Sequence, residues 1–142
     1  MAGERHLSTL EKVLFLKSVD LFEHAVIEEL GRIAELTQEV GIEAGETIFR
    51  EGEPVDAVYL VLKGRVAVEK NGVKIREVGE KQAFGLVAAL DVAPAAQTVK
   101  AIEPLHALKL DALDFHDMLS QDYELVRAVL RALCRMIREF EA

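Results

Sequence analysis

Glycine sets the grain of the central part of this chain. Gly45, Gly52, Gly64, Gly72, Gly79 and Gly85 punctuate the stretch from about Val40 to Leu110 at short intervals. The runs between them alternate in polarity. Val58, Leu60 and Leu62 alternate with Tyr59, Val61 and Lys63, an apolar run suited to a sheet with one well-buried face. Val66 and Val68 alternate with Arg65 and Glu69, and Val73, Ile75 and Glu77 with Lys74, Arg76 and Val78. Asn71-Gly72 separates two of these runs and signals a two-residue hairpin, because both central residues of that turn need positive φ. Many short strands with regularly spaced turns predict a sandwich or a barrel.

Helical patterns bracket this zone. From about Ser8 to Glu39 the chain reads as two helices with a break at Val19 to Phe22. Ser8 and Glu11 have capping-box spacing, and Leu10, Val13, Leu14 and Lys17 follow at helical intervals. In the second helix Val26, Ile27, Leu30, Ile33 and Ala34 form the expected apolar face. After the strands, Ala112 to Leu119 reads as a short helix, with Asp111 and Asp114 as its expected caps. Asp122 to about Phe140 reads as a longer one. There Val126, Val129, Leu133, Met136 and Phe140 form a coiled-coil-like seam that Leu130 and Ile137 widen, and Arg127, Arg131, Arg135 and Arg138 lie together on another side. With no linker or repeat to divide it, the chain reads as one domain over residues 1–142: helices in 1–39, strands in 40–110, helices in 111–142.

Bulk properties narrow the function. The chain has 142 residues, 51% hydrophobic and 30% charged, which suits one folded core. Its apolar runs are too short to span a bilayer, and the stretch Met1 to His6 lacks the apolar core of a signal peptide, so a cytoplasmic location is expected. A net charge of −8 disfavours nucleic acid and anionic lipid as partners. Cys134, the single cysteine, allows no internal disulfide, and its helical setting predicts a buried or half-buried side chain.

The segment from Phe84 to Ala101 carries the most specific information. Phe84-Gly85 precedes a short apolar stretch, Leu86-Val87-Ala88-Ala89-Leu90, and Pro94-Ala95-Ala96-Gln97-Thr98-Val99 follows. Upstream stand Ala44-Gly45-Glu46-Thr47 and Asp56-Ala57-Val58-Tyr59-Leu60, with Lys63-Gly64-Arg65 after them. In this order the motifs resemble the cyclic-nucleotide-binding domain family of catabolite-activator-type regulators, protein kinase A regulatory subunits and gated channels. The resemblance covers roughly residues 20 to 140. It implies a mainly β fold with flanking helices, a double-stranded β-helix or jelly-roll of the cupin-like β-roll type. Gly45, Gly52 and Gly64 then belong at tight turns.

The resemblance also implies a ligand site. The family's phosphate-binding cassette has Phe-Gly-Glu, a short helix, then Pro-Arg-Ala-Ala-Thr-Val. Its glutamate holds the ribose 2′-hydroxyl and its arginine pairs with the cyclic phosphate. Here Phe84, Gly85, Pro94, Ala96, Thr98 and Val99 match, but the glutamate position is Leu86, the arginine position is Ala95, and Gln97 replaces a small residue. The cassette positions Phe84, Gly85, Leu86, Val87, Ala88, Pro94, Ala95, Ala96, Gln97 and Thr98 are therefore the candidate ligand pocket. Lys100 is expected to point away from it if Val99 points in, and Lys81 and Arg76 lie near it in sequence only. One expectation is that Val87, Ala88, Ala89 and Leu90 are kept simply as core packing.

No cofactor is expected, and cyclic nucleotide is disfavoured. Neither a nucleophile elbow nor a Walker loop is present, and His6, His24, His106 and His116 have no metal-ligand spacing, so no enzyme activity and no metal site are expected. The reading is a sensory or regulatory module that does not take cAMP or cGMP in the usual way. Two alternatives stand beside it: a weak or atypical cyclic-nucleotide receptor, and an assembly module acting through the C-terminal helix. The expected partners are a second copy through the seam Val126, Val129, Leu133, Met136 and Phe140, or a parent multidomain protein of a bacterial kind. Direct DNA binding and membrane insertion by this chain are not expected.

Overall fold

The structure, a computed structural model, describes residues 6–141, the side chains of Phe140 and Glu141 excepted. The expectation made on Met1 to Arg5 lies outside the described residues. The first helix, α1 (Thr9–Lys17), carries the expected capping box: the Ser8 hydroxyl accepts from the Glu11 N–H, and the Glu11 carboxylate accepts from the Ser8 N–H. A 3-10 turn at Asp20–Phe22 makes the break before α2 (Ile27–Leu36). Only part of the apolar face expected for α2 is buried. Leu30, Ile33 and Ala34 are in the core, whereas Val26 and Ile27 are 57% and 69% exposed at the helix start.

Eight strands follow: β1 (Thr37–Ile42), β2 (Thr47–Phe49), β3 (Ala57–Lys63), β4 (Val66–Lys70), β5 (Val73–Val78), β6 (Ala83–Phe84), β7 (Thr98–Ala101) and β8 (Leu105–Asp111). They form two antiparallel four-stranded sheets, in the orders β1-β8-β3-β6 and β2-β7-β4-β5. The helical reading of Thr37 to Glu39 is corrected: β1 starts at Thr37, paired with Leu110 of β8. Long-range pairing takes these residues from the helix, and the buried Thr37 hydroxyl donates to the Ala34 carbonyl at the helix end. Asn71 and Gly72 make the β4–β5 hairpin with φ of 52° and 80°. Gly45, Gly52 and Gly64 all adopt positive φ. At Gly64 a Cβ would stand 2.3 Å from the Pro104 carbonyl oxygen, so no other residue fits there.

β3 is buried on both faces rather than one. Val58 and Leu60 belong to a core shared with the helices, and Ala57, Tyr59 and Val61 to a second core between the two sheets. By contrast β5 is an exposed edge, with Val73 and Ile75 open to solvent and Val78 alone fully buried.

Behind β3 lie α3 (Leu86–Asp91), α4 (Ala112–Gln121) and α5 (Tyr123–Glu141). Asp111 caps α4, its carboxylate accepting from the N–H groups of Leu113 and Asp114; Asp114 is the first-turn acid and not a cap. Among the described residues no helix is long and apolar enough to cross a membrane.

Asp122 starts α5 and ties it to α2. One of its oxygens accepts from the Leu125 N–H, while the other, 4.0 Å from Arg32, is buried with no donor within reach unless the neighbouring Glu29 carboxyl is protonated. Glu29 of α2 stands beside it. Their hydrogen bond, chiefly, raises the Glu29 carboxyl above its usual range and holds Asp122 below its own. A raised value means that the Glu29 contribution is complete below its unfolded-state pKa and is lost as pH rises through the folded-state one. The lowered value means that the Asp122 contribution is present above its unfolded-state pKa and is lost as pH falls through the folded-state one. The two therefore support the α2–α5 contact together only while Glu29 holds its proton and Asp122 has lost its own. Glu29→Gln supplies a donor that does not titrate. It should raise the melting temperature by roughly 1–3 °C at pH above the Glu29 titration and flatten the gain that wild type shows as pH falls through it, as read by thermal melts across a pH series.

Candidate functional site

The cassette begins where β6 leaves its sheet. Phe84 pairs with Tyr59 of β3, and the two rings stack with centroids 4.9 Å apart. Gly85 follows at φ 84°, where a Cβ would stand 2.8 Å from the Ala57 carbonyl oxygen. That close approach turns the chain off β3 into α3. The helix ends on Val92, which holds φ 54° while its N–H donates to the Ala88 carbonyl. His116 of α4 donates from Nε2 to the Ala89 carbonyl, 2.7 Å away, which anchors α3 from behind.

Main-chain pairing fixes the second half. The Ala95 carbonyl accepts from the Gly52 N–H and the Ala95 N–H donates to the Glu53 carbonyl, each at 2.8 Å. The Thr98 hydroxyl accepts from the Glu51 N–H at 3.1 Å, and Lys70 Nζ donates to the Ala96 carbonyl at 2.9 Å. None of these contacts depends on the side chain at position 95.

A cavity of about 630 Å³ opens against this loop. Nine of the ten cassette residues proposed from the sequence line it; Thr98 does not, being engaged with Glu51. Leu86 and Ala95 form part of its wall at 7% and 5% exposure. Phe49, Val68 and Val99 extend the apolar surface, and Ala132 and Met136 of α5 close it from above. The reading of α3 as core packing alone is therefore corrected. Leu86 and Ala89 are buried and Leu90 packs against the same core, but Val87 is 49% exposed, and Val87 and Ala88 line the cavity.

Three cations come to this cavity that sequence reasoning set aside or missed. Arg76 of β5 and Lys81 line it, although they adjoin the cassette only loosely in sequence, and so does Arg135 of α5. Arg76 is two residues from Val78 and shares its side of the strand, the one available hint. Arg135 belongs with Ala132, Met136 and Glu139 at helical spacing, which could have been seen only by knowing which face of α5 meets the β-roll. Lys100 behaves as expected: it stands 3.9 Å from Glu69, while Val99 lines the cavity. Among the described residues no cluster of His, Cys, Asp or Glu could hold a metal ion.

The C-terminal helix divides its apolar residues differently from the seam read in the sequence. Leu125 and Val129 are buried, Ala132 and Leu133 pack on the helical core, Met136 lines the cavity and Val126 is half-buried. The side chain of Phe140 lies outside the described residues. The outward apolar ridge is instead Tyr123, Leu130 and Ile137, at 72%, 54% and 57% exposure. Beside it Arg127, Arg131, Arg135 and Arg138 border a shallow groove with Leu130 and Cys134. Cys134 is exposed, contrary to its expected burial, because the helix turns its other side to the core.

Two backbone sites of the cassette make opposite predictions. Gly85→Ala should destabilise the fold by about 1–3 kcal/mol, since the added methyl meets a carbonyl that β3 holds in place. Val92→Gly should stabilise it by about 0.5–1 kcal/mol, because a β-branched residue is costly at positive φ and this one is 82% exposed. Chemical denaturation midpoints of both variants check the pair.

Comparison with known proteins agrees with this architecture. The family model for the cyclic nucleotide-binding domain matches residues 39–122, more than half of the chain. A cAMP-dependent protein kinase regulatory subunit of Yarrowia lipolytica is 33% identical over 120 residues, covering 82% of this chain and 32% of that protein. A CRP-like cAMP-activated global transcriptional regulator of Mycobacterium tuberculosis is 29% identical over 118 residues, covering 78% and 53%. The chain thus spans a third to a half of the length of these curated relatives. Among solved structures, the sensor domain of the transcriptional regulator DNR from Pseudomonas aeruginosa superposes with a TM-score of 0.79 at 21% identity, covering 92% of this chain and 91% of that one. From the β-roll, the cassette and these matches together, the chain belongs to the cyclic nucleotide-binding domain family.

Proposed function

We propose that this domain is a non-enzymatic regulatory module that does not take cAMP or cGMP in the family's usual way. The observation that carries this reading is the pair Leu86 and Ala95, both at the wall of an open cavity and both without a polar side-chain atom. A charge-assisted hydrogen bond contributes roughly 1.5–3 kcal/mol, so losing the family's acid and base removes on the order of 3–6 kcal/mol if the two add. That corresponds to on the order of 100- to 10,000-fold weaker binding. The overall charge of −8 offers an anionic nucleotide no compensation at long range.

Two other readings keep specific support. Arg76, Lys81 and Arg135 at the cavity favour a weak or atypical cyclic-nucleotide receptor. The outward ridge of Tyr123, Leu130 and Ile137 favours assembly through α5, with a second copy or with another part of a longer polypeptide. Sedimentation at high micromolar concentration tests the ridge: Leu130→Glu with Ile137→Glu should turn a dimer into a monomer without lowering the unfolding free energy by more than about 1 kcal/mol.

Calorimetric titration of cAMP and cGMP tests the main reading. Wild type should show no saturable heat in the micromolar range, and a clear micromolar dissociation constant for either nucleotide would overturn it. Leu86→Glu combined with Ala95→Arg restores the family's side chains on an intact backbone and should gain cAMP binding. Ala95→Arg alone, which leaves the buried Leu86 in place, keeps the test available if the double variant folds poorly.

A further inference from the structure

The cavity carries its cations outside the cassette. Six charged residues line it: Asp20, Arg76, Lys81, Asp91, Arg135 and Glu139. All are exposed except Arg135, which is half-buried. Among the described residues its guanidinium makes no hydrogen bond and no ion pair, and the other charged residues of the wall leave it unpaired too. A partly desolvated cation without a partner is costly, and the cost is relieved by an anion that reaches it. The cassette end of the same cavity, at Leu86 and Ala95, is now apolar.

We infer that the cavity binds a small amphipathic monocarboxylate, its acid on Arg135 and its apolar body against Leu86, Ala95 and Met136. This rests on the proposed loss of ordinary cyclic-nucleotide binding at the same site. The family's cassette pattern puts the anion at the positions of Leu86 and Ala95; the ligand inferred here enters with the opposite polarity. A planar guanidinium matches a carboxylate in bidentate fashion, and a single half-buried cation balances a single negative charge. The cavity volume, about 630 Å³, is in the range of small-molecule sites that are mostly apolar with a few placed polar groups. Arg135 also borders the groove on the outer side of α5, beside Arg131 and Leu130. A carboxylate that holds Arg135 inward therefore changes the charge presented on that outer face, so that occupancy is passed to whatever meets the helix.

Octanoate is the probe, with 1-octanol as its neutral counterpart and octylammonium as its cationic one. In calorimetric or NMR titration of the whole chain at neutral pH, octanoate should bind saturably and at least about tenfold tighter than either counterpart, the factor that one charge-assisted contact supplies. Arg135→Gln should remove that preference, Arg135→Lys should keep part of it, and Arg131→Gln, on the outer face, should leave it intact. Equal binding of octanoate and 1-octanol, no saturable octanoate binding, or an equal loss in Arg131→Gln and Arg135→Gln would each overturn the inference. A cAMP titration of the same samples separates the two readings. Micromolar cAMP binding defeats the parent reading, whereas absence of both cAMP and octanoate binding defeats only this one.

Discussion

The structure depends on one strand being buried from both sides. From Ala57 to Val61 every residue of β3 is at 9% exposure or less, so each side chain is committed to one of two cores. Val58 and Leu60 hold the helices; Ala57, Tyr59 and Val61 hold the interior of the β-roll. A shift of one residue would exchange the two sets, and the different shapes required on each side forbid it. The strand also positions the site. Its Tyr59 stacks on Phe84, and its Ala57 carbonyl sets how closely the chain at Gly85 must pass. The cavity is therefore referenced to the best-packed strand of the molecule.

The C-terminal helix uses its circumference in three ways. One side packs on the helical core through Leu125 and Val129, the next closes the cavity through Ala132 and Met136, and the third presents Tyr123, Leu130 and Ile137 outward. Its start is held by Asp122 against Glu29, a pair of carboxyl groups that is at its most cohesive while Glu29 is protonated and Asp122 is not. A helix with so few residues given wholly to the core is held less firmly than β3 is.

Much of this was legible in the sequence because the signals are local. Asn71-Gly72 needs no tertiary context to specify a hairpin, Ser8 and Glu11 none to cap a helix, and Phe84-Gly85 with Pro94 to Val99 resembles the family's cassette closely enough to mark it. The errors fall where distant residues decide. Thr37 to Glu39 continue a helical pattern but pair with β8, and Val26 and Ile27 are apolar residues that the helix start leaves in solvent. The seam of α5 was recognised as an apolar stripe, but its division between core, cavity and solvent requires knowing where the β-roll stands. For the same reason Arg76 and Arg135, distant in sequence, were not seen to share a cavity.

The bonds that pin Ala95 run through its main chain alone, to Gly52 and Glu53. A loop held in this way is indifferent to what its side chains recognise. Chemistry at positions 86 and 95 can drift while the scaffold that presents them keeps its shape. A substitution at position 95 therefore meets no main-chain bond that it must break.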